Sequence, residues 1–323
     1  MLKTFSRAVI LELSSSLLTA AVAVAAAYPE RPITVVVAFA AGGATDISTR
    51  IVGKFLSQSL GQQFVIDYRP GASGGIGTEV VARAAPDGHT LLLNTLPFVV
   101  NPSLYKKLPY DTVKDFAPVS LLATSPFVLV VHPSVPATTV AQFVALAKKQ
   151  PGKLNYSSAG IGTNLHVAAE LFKNLTKTDI LHVPYKGGGA ALIATVGGEA
   201  DLSFIGVQPA FPHMQSGKLR ALGITSAKRA PSLPALPTIG ETVAGYEFSS
   251  WWGLLAPAAT PPATVQLLSE AIAKAVRAPE IAKRFEQDGV EAVAGTPAQF
   301  GESIRSDIAR WAKVIRDNRI EPQ

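Results

Sequence analysis

Short apolar runs alternate with stretches of helical periodicity along most of the chain. Ile33 to Phe39 reads as a buried strand, Thr45 to Leu60 as a helix, Gln63 to Tyr68 as a strand, Gly75 to Ala84 as a helix and Thr90 to Asn94 as a strand. The rhythm resumes with a strand at Phe127 to Val131, a helix from Thr139 to Lys149, a strand at Leu154 to Ser157 and a helix from Asn164 to Leu175. Strands at Ile180 to Pro184, Asp201 to Ile205 and Leu219 to Thr225 complete the second set. Proline-rich tracts at Pro231 to Pro237 and Pro257 to Pro262 read as loops, and the rest is helical: Ala263 to Arg277, Glu280 to Asp288 and Pro297 to Arg319. The pattern predicts an α/β fold in two lobes. The apolar runs at Phe127 to Val131 and Leu219 to Thr225 are natural crossings, which makes the second lobe (125–225) an insertion in the first (28–124 and 226–323). A ligand then sits between the lobes, where loops leaving strand ends meet helix N-termini.

The segment before this pattern differs. Lys3 and Arg7 precede an apolar stretch that ends in Ala25-Ala26-Ala27, the layout of a signal peptide over 1–27, with Glu12 the one interruption. Cleavage before Tyr28 removes Lys3, Arg7 and Glu12 and predicts an exported, soluble protein. Composition agrees. With 48% hydrophobic residues in 323 the chain can bury a large core, and its 29 basic residues against 23 acidic ones are scattered rather than in runs. That excludes nucleic acid as the expected partner. The absence of cysteine excludes disulfides, thiol catalysis and Cys-ligated metals.

Three glycine-rich loops lie between a strand and a helix. In the first, Phe39 to Asp46, the glycines permit close backbone approach and the amides point toward an anion; Ala40, Gly43 and Thr45 belong to it, and the bland alternative makes Thr45 a helix cap and Asp46 a first-turn charge. The second, Ser157 to Asn164, repeats the design with added hydroxyls and His166 just inside its helix, and is the stronger candidate. The third, Tyr185 to Gly189, offers an aromatic ring and the Lys186 cation, or is a plain flexible turn.

Two enzyme readings compete. Gly71 to Gly75 fits the G-x-S-x-G nucleophile elbow with Ser73 as nucleophile, which makes an exported serine hydrolase the alternative function. Gly71 to Gly77 also resembles a dehydrogenase phosphate loop, but Pro70 stands where the strand should end, and Tyr110 and Lys114 are too close for that family's catalytic pair. The five histidines show no i, i+3 or i, i+4 pairing, so no metal or cofactor is expected. Trp251 and Trp252 are adjacent, hence on opposite faces if on a strand, and packing is expected for at least one.

Nine ordered motifs, among them Tyr28 to Ile33, Phe39 to Asp46, Arg69 to Ala72, Pro86 to Leu92, Ser158 to His166, His182 to Gly187 and Leu236 to Glu241, together resemble the Bug family of periplasmic receptors of tripartite tricarboxylate transporters. The resemblance implies a type II periplasmic binding fold, non-catalytic, whose cleft closes on a small organic carboxylate held by loop amides, hydroxyls and waters. Carried onto matching positions, it implies contacts from Phe39, Gly43 and Asp46 in the first lobe and from Ser158, Gly160, Gly162, Thr163 and His166 in the second; the loops themselves add Ala40, Thr45 and Tyr185. Two departures stand out: Ser73 where the family often has glycine, and no acid near Ala194. The expected partners are the carboxylate and the membrane subunits of the transporter, with the receptor a monomer in the periplasm. A sensor role, in which the same closed form engages a kinase ectodomain, is a further possibility.

Overall fold

The computed structural model describes residues 28–42, 44–287 and 289–317, so the proposed signal peptide and Gly43 lie outside the described residues. In chain order the elements are β1 (Ile33–Val37), α1 (Ala44–Leu60), β2 (Phe64–Tyr68), α2 (Gly75–Ala82), β3 (Thr90–Asn94), α3 (Pro97–Leu104) and β4 (Phe116–Val131). Next come α4 (Val140–Lys149), β5 (Asn155–Ser158), α5 (Asn164–Thr176), β6 (Leu181–Pro184), α6 (Gly188–Val196), β7 (Leu202–Gly206), α7 (Val207–Gln215) and β8 (Arg220–Ile224). The chain ends with β9 (Ser249–Pro257), α8 (Pro262–Arg277), α9 (Pro279–Gln287), β10 (Glu291–Ala292) and α10 (Pro297–Asp317).

β-branched runs such as the ITVVV of β1 are buried on both faces, as strands between two helical layers must be. β1 pairs in parallel with β2 and β3, and β3 pairs antiparallel with β9. In the other lobe β5 pairs in parallel with β6 and β7, and β7 and β8 both run antiparallel to β4. The two halves share β4. Its Phe116–Pro126 portion pairs with β9 in the first lobe, and its Phe127–Val131 portion pairs with β7 and β8 in the second.

This corrects the expected crossings. The first crossing strand begins eleven residues before Phe127, at Phe116, while β8 stays wholly in the second lobe and the chain returns by way of β9. The stretch between β8 and β9, assigned to the first lobe by its sequence position, packs on the second: Tyr246 donates its hydroxyl to the Ala168 carbonyl at 3.1 Å and meets the rings of Phe172 and Phe204 at 5.9 and 6.1 Å. Trp251 and Trp252 are both buried on β9, on opposite sides of the sheet and in different core clusters. Among the described residues no helix is long and apolar enough to cross a membrane, and no group of acidic or histidine side chains is arranged to hold a metal.

Candidate functional site

Between the lobes lies a cavity of about 560 Å³. Helices α1, α5, α6 and α7 open at its rim, through Thr45, Asn164, Gly188 and Gly206, so four positive dipole ends face one space. No Asp, Glu, Arg or His side chain lines it; Lys186 is the one charged lining residue, exposed and with no carboxylate partner among the described residues.

Of the residues expected from sequence, Phe39, Ala40, Thr45, Gly160, Thr163 and Tyr185 line the cavity. Asp46, Ser158, Gly162 and His166 do not, and their geometry shows what each does instead. The Asp46 carboxylate accepts hydrogen bonds from the Gly42 amide (2.9 Å), Arg50 Nε (2.8 Å) and the Tyr68 hydroxyl. Burial opposes its ionisation, but those hydrogen bonds and the Arg50 charge outweigh it and hold the carboxyl below its usual range. Asp46 is thus a clamp that folds the first loop back onto its helix, with its charge neutralised away from the cavity.

The second loop is tied down in the same way. Ser158 Oγ lies 2.6 Å from His182 Nε2 and accepts from the Gly160 amide at 3.0 Å. The Gly162 amide donates to His166 Nδ1 at 3.2 Å, which requires that nitrogen to be unprotonated. His166 and His182 lie 4.6 Å apart, and His182 stacks on Tyr156 at 4.7 Å. Burial pushes both imidazoles down to about 4, so both are neutral supports beneath the loop. Thr163 gives its one hydroxyl proton to the Gly160 carbonyl at 2.6 Å, leaving none for a ligand. Ala194 on α6 is buried and does not line the cavity.

Sequence reasoning missed several lining residues: Thr95, Tyr105, Phe127, Asn164, Ile205 and Pro209. Two of them span the cleft, since Asn164 Nδ2 donates to Thr95 Oγ1 at 3.2 Å and to Ser250 Oγ at 2.8 Å. Thr45 is set from behind: Trp252 Nε1 donates to its Oγ1 at 3.3 Å, and because an indole only donates, the Thr45 proton stays available to an acceptor in the cavity.

Ser73 has a different place from the nucleophile its motif suggested. Gly71, Ala72, Ser73 and Gly74 all have positive φ, including φ 46° and 50° at the two non-glycine residues, a strained turn held by Asn101 Nδ2 on the Ser73 carbonyl at 3.1 Å. Its hydroxyl donates across the cleft to the Ile161 carbonyl, not to a histidine. A serine whose proton is held by a carbonyl has no base to activate it.

Two lobes sharing the strand β4 around a cleft of helix N-termini define a solute-binding receptor of the type II periplasmic kind. The particular family follows from comparison: residues 48–320 match the tripartite tricarboxylate transporter family receptor, TctC, and the chain belongs to that family. The curated protein BugT of Bordetella pertussis is 37% identical, covering 90% of this chain and 90% of its own. An R. palustris protein solved with adipate superposes with TM-score 0.89 at 36% identity, covering 92% of this chain and all of its own. MatC from Rhodopseudomonas palustris, solved with bound malate, gives TM-score 0.84 at 32% identity over 89% of this chain and all of its own. The family is one of periplasmic receptors rather than enzymes, so the hydrolase reading of Ser73 is set aside.

Proposed function

We propose that this receptor captures a small organic carboxylate in its cleft and presents the closed form to the membrane subunits of a tripartite tricarboxylate transporter. The observation that carries the reading is the convergence of four helix N-termini and one lysine on a cavity with no acidic side chain, an environment that favours an anion. Relatives solved with adipate and malate support it. Candidate contacts are the first-turn amides of α1, α5 and α6, the Thr45 hydroxyl, Lys186, and the walls formed by Phe39, Ala40, Gly160 and Tyr185.

Residues 1–27 act as a signal peptide in this reading, and the receptor works as a monomer. The lobe boundaries that fit the strand pairing and the Tyr246 contacts are 28–126 with 249–323 for the first lobe and 127–248 for the second, a shift from the 226 boundary that sequence position suggested.

A thermal-shift panel tests the ligand class. At a hundred times its dissociation constant a bound ligand adds about 2.7 kcal/mol, so Tm rises by roughly 5 to 10 °C for a chain of this size. At least one free carboxylate should produce the shift, and its amide or ester should not. A neutral sugar or a divalent metal that stabilises the protein while every carboxylate fails would overturn the reading.

A further inference from the structure

We propose that the ligand is an aromatic carboxylate: one carboxylate at the helix N-termini and a flat hydrocarbon ring between the lobes. This rests on the carboxylate reading above and narrows it.

The walls supply the first argument. Phe39 and Tyr105 face the cavity from the first lobe, and Phe127, Tyr185 and Ile205 face it from the second. Rings contributed by both sides of a closing cleft suit a planar apolar body, which each ring can meet by offset stacking or edge contact.

The second argument is an inventory of hydrogen-bonding capacity. The hydroxyl protons of Ser73 and Thr163 are given to the Ile161 and Gly160 carbonyls, and the Asn164 amide nitrogen to Thr95 and Ser250. Tyr185 turns its hydroxyl toward Glu199 at 3.4 Å. Capacity that remains lies in first-turn amides, the hydroxyls of Thr45, Thr95 and Tyr105, the Asn164 Oδ1 acceptor and Lys186, of which the amides, the Thr45 hydroxyl and the lysine suit a carboxylate.

Charge weighs against amino acids and acids with several carboxylates. An amino acid would bring its ammonium into a cavity with no carboxylate to meet it. A citrate-like acid would bring three carboxylates to a cavity whose one charged lining residue is Lys186.

Titration calorimetry on the full mature chain, with benzoate, phenylacetate, adipate, malate, citrate and glutamate as probes, decides the matter. The expected result is an aryl carboxylate at least tenfold tighter than each of the four others. Adipate, malate, citrate or glutamate binding as tightly as the better aryl acid, or tighter, overturns the aromatic assignment and leaves the carboxylate reading standing. Failure of every carboxylate in both calorimetry and thermal shift removes the carboxylate reading itself, and the aromatic assignment with it.

Discussion

A Cβ placed on Gly162 would stand 2.9 Å from Leu104 Cδ1 and 2.9 Å from Ser73 Oγ, both in the opposite lobe, at a backbone φ of +77°. The glycine in this loop therefore serves close approach of one lobe to the other, where its motif had suggested approach to a ligand. Gly162→Ala should strain the backbone by about 1 to 2 kcal/mol and hold the lobes apart. Calorimetry should find ligand affinity lowered about tenfold, because the closed state that binds best becomes less populated, while the protein still unfolds cooperatively. Unchanged affinity would mean that the loop does not control closure. Much at this scale was legible: glycine and hydroxyl loops after strands marked the cavity, and Phe39, Thr45 and Gly160 do line it. What sequence did not reveal was the destination of each proton. Thr163 and Ser158 look like ligand donors by residue type, and only coordinates show their oxygens turned to Gly160 and His182.

His166 on α5 and His182 on β6, tilted against each other, with Tyr156 stacked on His182 and the Glu170–Lys173 ion pair (2.7 Å) nearby, form the floor of the second loop. Both rings are neutral in the native state down to about pH 4, whereas an unfolded histidine takes up its proton near pH 6.5. Between those values the unfolded chain binds more protons, so stability falls as pH falls from 6.5 toward 4. For His166, the more buried ring, the loss by pH 5 is about 2 kcal/mol, which corresponds to a Tm lower by roughly 5 °C than at pH 7. Unfolding followed at pH 7, 6 and 5 checks this, and a flat Tm would contradict it. Elements with a clear period were legible, α1, α5, α8 and α10 among them, because each buries one stripe and solvates the other. Those missed break the rules that make a pattern readable. α3 is buried almost all round and carries Pro102, α7 contains Pro212, and the first half of β4 includes Pro118 and Pro126 and two register shifts. β9, buried along nearly its whole length, shows no alternation.

For the molecule as a whole, the proposed closure has its hinge in the sheet. β4 passes through both lobes without a break in strand structure, so opening and closing must bend the sheet near Pro126 rather than swing a loose linker. Contacts across the cleft, Ser73 to Ile161 and Asn164 to Thr95, are hydrogen bonds that water can replace, each worth about 0.5 to 1.5 kcal/mol net, which leaves the balance to the ligand. The interleaved order of the strands also makes the lobes unequal. Residues 127–248 hold all the partners of the second lobe's sheet, whereas the first lobe joins β3 to β4 only through β9. A chain ending at Phe248 should resist limited proteolysis in its second lobe alone, and protection of residues 33–94 in that chain would refute the asymmetry. During synthesis, then, the strand at the centre of the first lobe is among the last to emerge. At about 5 to 20 residues per second, on the order of ten seconds separates β4 from β9. For that interval the nascent chain exposes two unpaired strand edges and a half-built apolar core, an opening for wrong partners that a folding helper would have to cover.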